Sequence, residues 1–200
     1  MKGMIMSGMM ALCLVLGIMA VLSNAWLEEV DDETTISVGL SDMEVSGDMG
    51  DDCEMMAGFM DGMMEGAEST CDGDELTTVI ALSDYCAMMS GADADDCDST
   101  ASAGMMGSIG MWAGIVCALL VTLMLVLPMA GVDAMDAIPD MGKTIIGWSA
   151  GGLMLLGILV WYMMLPDGDS SAAMGVWMAA GAAVLGLAAA AIGQFMPAEE

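Results

Sequence analysis

The sequence predicts an all-α membrane protein: a four-transmembrane-helix bundle with a disulfide-stabilised α+β extracellular loop domain between helices 1 and 2. Three observations lead there. Four long runs contain no Asp, Glu, Lys or Arg; the acidic residues crowd between the first two runs; and four of the six cysteines lie in that acidic stretch. The mean hydropathy is +0.74 and 16% of residues are charged, where a soluble domain has about a quarter charged.

The apolar runs cover 4–22, 104–129, 144–165 and 172–196, each 19 to 26 residues long. At about 1.5 Å rise per residue, each is long enough to cross a ~30 Å hydrocarbon core. The segments between them are an acidic extracellular domain at 23–103, a cytoplasmic loop at 130–143 and a short extracellular loop at 166–171. Orientation follows from the two basic residues. Lys2 precedes the first span and Lys143 lies between the second and third, so both fall on one side, which the positive-inside rule assigns to the cytoplasm. Both termini are then cytoplasmic in a multi-pass protein of the cell membrane. The competing expectation is a cleaved signal peptide ending in Ser23-Asn24-Ala25. The first run is longer than the ~7–15 apolar residues of a signal, which favours a retained helix.

The outer segment holds 22 of the 29 acidic residues and neither lysine. Such a field repels nucleic acid and draws divalent cations weakly. Its cysteines, Cys53, Cys71, Cys86 and Cys97, form an even set on the oxidising side of a membrane and read as two disulfides. Four cysteines allow three pairings. Within the segment, 34–45 carries β-branched residues in rough alternation, broken at Gly39, and reads as one or two strands. Residues 53–67 place Met56, Phe59, Met60, Met63 and Met64 at helical spacing, and 75–89 place Leu76, Val79, Ile80 and Cys86 likewise. Asp72-Gly73 is a turn between them. The expectation is a short β element followed by a helical hairpin.

Three stretches match functional motifs only in part. The 28 methionines include Met56, Met60 and Met63 on one helix, three soft sulfurs suited to Cu(I). Methionine is as frequent in the spans, so adaptable packing explains the bias without a metal. Residues 93–98, DADDCD, bring four carboxylates into one predicted loop, but the EF-hand pattern fails at Cys97, Asp98 and Gly104. Residues 137–144, AIPDMGKT, imitate a P-loop when Ala137 stands for its first glycine. Asp136 and Asp140 would repel a phosphate, Pro139 removes an N–H donor, and an apolar span follows. Lys143 reads instead as the anchor of the third span.

The chain contains no histidine, which excludes Ser-His and Cys-His catalysis and His-ligated metal sites. No CxxC occurs, and no ionisable Asp, Glu, Lys or Arg lies in a span, where coupled transporters and intramembrane proteases place theirs. The expectation is a nonenzymatic protein without a cofactor. The spans carry small-residue faces instead: Gly110 and Gly114, Gly147 and Gly151, and Gly175 with Ala179 and Ala183. These let helix backbones approach, either within the bundle or in a lateral oligomer. Gln194 is the strongly polar side chain within a span, Cys13 and Cys117 read as reduced packing residues, and Trp112, Trp148, Trp161, Tyr162 and Trp177 read as interfacial anchors.

This layout resembles the claudin and peripheral myelin protein group: four spans, internal termini, and a large disulfide-containing first outer loop. Trp26 follows the first span and Gly39-Leu40 precedes Cys53, as that group's motif does. Ser41 stands where the group has a tryptophan, there are four loop cysteines rather than two, and no arginine enters span two. The resemblance implies a self-associating, structural or adhesive surface protein, its partners the bilayer and a lateral homo-oligomer or membrane-protein partner. The alternatives are a surface Cu(I)- or Ca²⁺-binding protein and an accessory subunit of a larger membrane complex.

Overall fold

The apolar runs fold as helices because they are rich in Leu, Met and Ala and carry Pro only at their ends. The computed structural model describes residues 2–31, 34–64, 66–131, 139–166 and 171–195. Ala137 and Ile138 of AIPDMGKT, with half of the expected cytoplasmic loop (132–138) and four residues of the second outer loop, lie outside them. Among the described residues four helices are long and apolar enough to cross a membrane: α1 (Lys2–Val21), α4 (Ala92–Val126), α5 (Asp140–Met164) and α6 (Met174–Phe195). Pro128 lies in a 3₁₀ turn, Leu127–Ala130, directly after α4, where it cannot donate to the preceding turn.

The chain divides into two units. The helical unit comprises Met1–Val21, Gly107–Val160 and Trp177–Glu200. The sheet unit comprises Leu22–Met106 and Trp161–Val176. Its strands are β1 (Leu27–Val30), β2 (Thr34–Val38), β3 (Asp42–Asp48), β4 (Glu68–Asp72), β5 (Glu75–Ala81) and β6 (Ser171–Ala172), in the order β4-β5-β3-β2-β1-β6. Every neighbouring pair is antiparallel. Two short helices complete the unit, α2 (Cys53–Met63) and α3 (Leu82–Met88).

The expected strand region resolves into β2 and β3, with Gly39 between them. A Cβ at Gly39 would come within 3.0 Å of the Asn24 Cα and 3.1 Å of two carbonyl oxygens, so the reversal needs a residue without one. The expected helix at 75–89 is corrected: 75–81 is strand β5, and helix begins only at Leu82. Leu76 and Ile80 fit both periods, which hid the difference. Thr78 decides it, because β5 buries Leu76, Thr78 and Ile80 in strict alternation. Thr77, Thr78, Val79 and Ile80 are all β-branched, stiff at χ1 and better suited to a pleated surface than to a helix. The expected Asp72-Gly73 turn is consequently a hairpin with the two-residue loop Gly73-Asp74, not the turn of a helical pair. Asp72 pairs with Glu75, and Gly73 takes the φ of +65° that such turns require.

Met43, Ile80, Leu82 and Cys86 form the core of the sheet unit, with Val38, Val45, Tyr85 and Ala101 packed around them. A second anchor is Trp26, fully buried and edge-on to Trp161 at 5.0 Å between ring centroids. Trp161 is 2% exposed, so it is not an interfacial anchor. Its ring finds better burial against Trp26 than at a lipid surface. Trp112, Trp148, Tyr162 and Trp177 are exposed.

Candidate interaction surface

The disulfides pair Cys53 with Cys71 and Cys86 with Cys97. Cys53 opens α2 and Cys71 lies in β4, so the first bond ties that helix to the edge strand of the sheet. The second ties α3 to the first turns of α4. Cys13 and Cys117 are free thiols. Cys13 is buried, with its Sγ 4.0 Å from the Met154 Sδ.

A 3₁₀ turn, Gly50–Asp52, leads into α2, and Asp51, Asp52 and Glu54 cluster about the helix start, where the macrodipole favours anions. The helix ends near Met64, whose N–H donates to the Met60 carbonyl. Its inner side is Cys53, buried, with Met56, Met60 and Met64 half-buried. On the outer side Met55, Phe59 and Met63 recur every four residues and are 69%, 56% and 65% exposed. Gly58 and Gly62 lie on the same helix with open space around them. The three methionines of the copper reading therefore differ in surroundings: Met56 and Met60 are half-buried, Met63 is exposed.

The sheet has one face under the short helices and one face of carboxylates. In the latter, Glu75 stands directly opposite both Asp72 of β4 and Asp48 of β3. Three like charges in one row across three strands are mutually destabilising. Asp31 and Asp74 join them around a shallow groove. Among the described residues no three His, Cys, Asp or Glu side chains converge as a metal would require.

The DADDCD stretch is corrected. Asp95, Asp96 and Asp98 are not in a loop; α4 already runs from Ala92. Gly91 breaks the chain before it with a φ of +84°, the carboxylates favour the first turns, and the bond from Cys97 to Cys86 holds the helix onto the core. Ala103 is fully buried, and Gly104 packs against the Leu40 carbonyl, so tertiary contacts extend α4 beyond its apolar run.

The small-residue faces in the helical unit are used inside the chain, though not as simple pairs. A Cβ at Gly110 would stand 2.6 Å from the Gly157 Cα, and one at Gly114 2.8 Å from the Ala150 oxygen, bringing α4 against α5. A Cβ at Gly151 would meet the Ala183 oxygen at 2.5 Å and the Leu187 nitrogen at 2.6 Å, bringing α5 against α6. Gly147 has room, with only the Ala190 Cβ at 3.9 Å. Gly175, in the sheet unit, lies against Trp26 and the Ala25 carbonyl. Gly157 and Gly186 were missed by the four-residue interval, since each faces a glycine of another helix rather than one of its own. Gln194 accepts a 2.8 Å hydrogen bond from the Trp148 Nε1–H. Lys143 lies in the first turns of α5, and Lys2 is the first residue of α1.

The chain matches no protein-family profile and no curated protein.

Proposed function

We propose that this chain is a nonenzymatic, multi-pass membrane protein with a structural or adhesive role, which self-associates laterally through the outer stripe of α2. The observation that carries the reading is the row of Met55, Phe59 and Met63, three large apolar side chains exposed on one helix of an acidic domain. Single exposed apolar residues are ordinary, but a contiguous row marks a contact surface. Gly58 and Gly62 leave room for a second helix to approach α2. Gly110 and Gly151 already face helices of their own chain, which favours a lateral contact elsewhere. The Cys53–Cys71 bond holds the stripe in place before any partner arrives.

In this reading the spans sit with Lys2 and Lys143 on the cytoplasmic side, and the disulfide-bonded domain faces the oxidising exterior. The likeness of layout to the claudin group belongs to the same proposal. The acidic groove attracts divalent cations diffusely, without a dedicated site. Absent histidine and uncharged spans support a role without catalysis.

A net charge of −27 makes each copy repel the next, so an apolar contact between copies strengthens as salt screens that repulsion. A contact with a basic partner would weaken instead. Native mass spectrometry and sedimentation of the full chain in mild detergent, across a salt series, test this. We expect oligomers that increase with salt and a Phe59→Asp variant that remains monomeric. A wild-type chain that stays monomeric throughout, or a Phe59→Asp variant that assembles as well as wild type, would sink the proposal.

A further inference from the structure

The helical unit encloses a cavity of about 280 Å³ at the end of the bundle where α5 begins and α6 finishes. All four long helices contribute to it. Its wall is apolar and adaptable: Met6 and Met10 from α1 and Met124 and Leu125 from α4, three of these four flexible thioethers that re-pack around an irregular guest. Its polar groups are few and lie together at the helix ends, with Lys143 and Thr144 from α5 and Gln194 from α6. The Trp148 indole N–H holds the Gln194 amide oxygen, which fixes that side chain at the mouth.

The chain has 29 acidic residues and two lysines, and one of those lysines lines this cavity. A cation and a hydroxyl beside an apolar recess complement a molecule with an anionic head and a hydrocarbon tail. In a chain whose helices are apolar enough to cross a bilayer, the abundant molecule of that chemistry is a phospholipid. Basic pockets between spans bind such head groups, and the flexible lysine stem can follow a phosphate while its methylenes cover apolar surface.

We propose that this cavity is a binding site for one anionic phospholipid from the leaflet on the Lys143 side. Its phosphate meets Lys143 and Thr144, and part of one acyl chain enters the recess between Met6, Met10 and Met124; burial of that chain offsets the repulsion from Asp140, one turn before Lys143, which would turn away a phosphate without a tail. The site is independent of α2 and of self-association.

The test is native mass spectrometry of the full chain, exchanged in detergent micelles against equimolar phosphatidylglycerol and phosphatidylcholine. One retained lipid is expected, with phosphatidylglycerol favoured about fivefold, the equivalent of ~1 kcal/mol for one lysine at an anionic surface. Lys143→Gln should retain lipid without that preference, and Lys143→Arg should keep it. Gly147→Leu, which projects into the recess, should abolish retention of either lipid. If circular dichroism shows that this variant does not fold, the Lys143 pair decides the matter alone. Dodecyl phosphate should displace the lipid where inorganic phosphate at the same concentration does not. No retained lipid, equal retention of the two lipids by wild type, an unchanged preference in Lys143→Gln, or displacement by inorganic phosphate alone would each overturn the assignment.

Discussion

Gly151 and Gly152 are neighbours in α5, identical in chemistry and opposite in surroundings. A Cβ added at Gly151 would lie 2.5 Å from the Ala183 oxygen, 2.6 Å from the Leu187 nitrogen and 2.9 Å from the Leu187 Cγ. Two of those three atoms are backbone, which no rotamer change can move away. A Cβ at Gly152 would meet nothing within 4 Å. Ordinary contact begins at 3.4 Å, so Gly151→Ala requires α5 and α6 to part by almost an ångström. Overpacking of this kind costs about 1–3 kcal/mol. Both substitutions gain the helix preference of alanine over glycine, about 1 kcal/mol in aqueous helices. That gain cancels in the comparison, so Gly152→Ala should be the more stable of the two by the overpacking cost alone, about 1–3 kcal/mol. Reversible unfolding of both variants in mixed micelles, followed by tryptophan fluorescence, measures the difference. Gly147→Ala is a second control, because it shares the four-residue motif with Gly151 yet has 3.9 Å to its nearest neighbour. Equal stability of Gly151→Ala and Gly152→Ala would refute the close approach of α5 and α6. Equal losses at Gly147 and Gly151 would show that the motif itself, not the contact, carries the effect.

Replacing both Cys53 and Cys71 by alanine opens a loop of 18 residues, which by chain entropy should cost about 3 kcal/mol; denaturant unfolding reads the loss, and hydrogen exchange should show α2 opening before β5. Glu75→Gln relieves repulsion from both Asp48 and Asp72, so it should stabilise the protein at low salt by up to about 1 kcal/mol. That gain should shrink as ionic strength approaches ~0.15 M, where the Debye length is ~8 Å. A salt-independent gain would mean that something other than charge is responsible.

The four long helices were legible because their signal is local and redundant: twenty or so uncharged residues in a row admit few readings. Two disulfides were legible as a count. Their pairing was not, since Cys53 finds Cys71 only once α2 lies on β4, and Cys86 finds Cys97 only once α3 turns into α4. The strand β5 was misread because Leu76 and Ile80, four apart, satisfy a helix as well as a strand; its β-branched run was the signal that should have prevailed. The polar composition of residues 93–98 suggests a loop, whereas the helix there rests on a disulfide and on packing of Ala103 and Gly104. The stripe on α2 was half visible. Helical spacing identified the helix but could not say which of its methionines faced the sheet.

By itself, then, the sequence determined what depends on near neighbours in the chain: apolar runs of membrane length, the acidic segment between the first two, and the scarcity of cations. The tertiary structure decided what depends on residues far apart. It determined which glycines touch another backbone, why Trp161 meets Trp26 instead of a lipid surface, and which side of α2 is left outward. It also brought Lys143 beside an apolar recess built from four helices. The reason is physical: hydropathy sums over adjacent residues, whereas close packing and a cavity exist only between surfaces that the chain brings together from a distance.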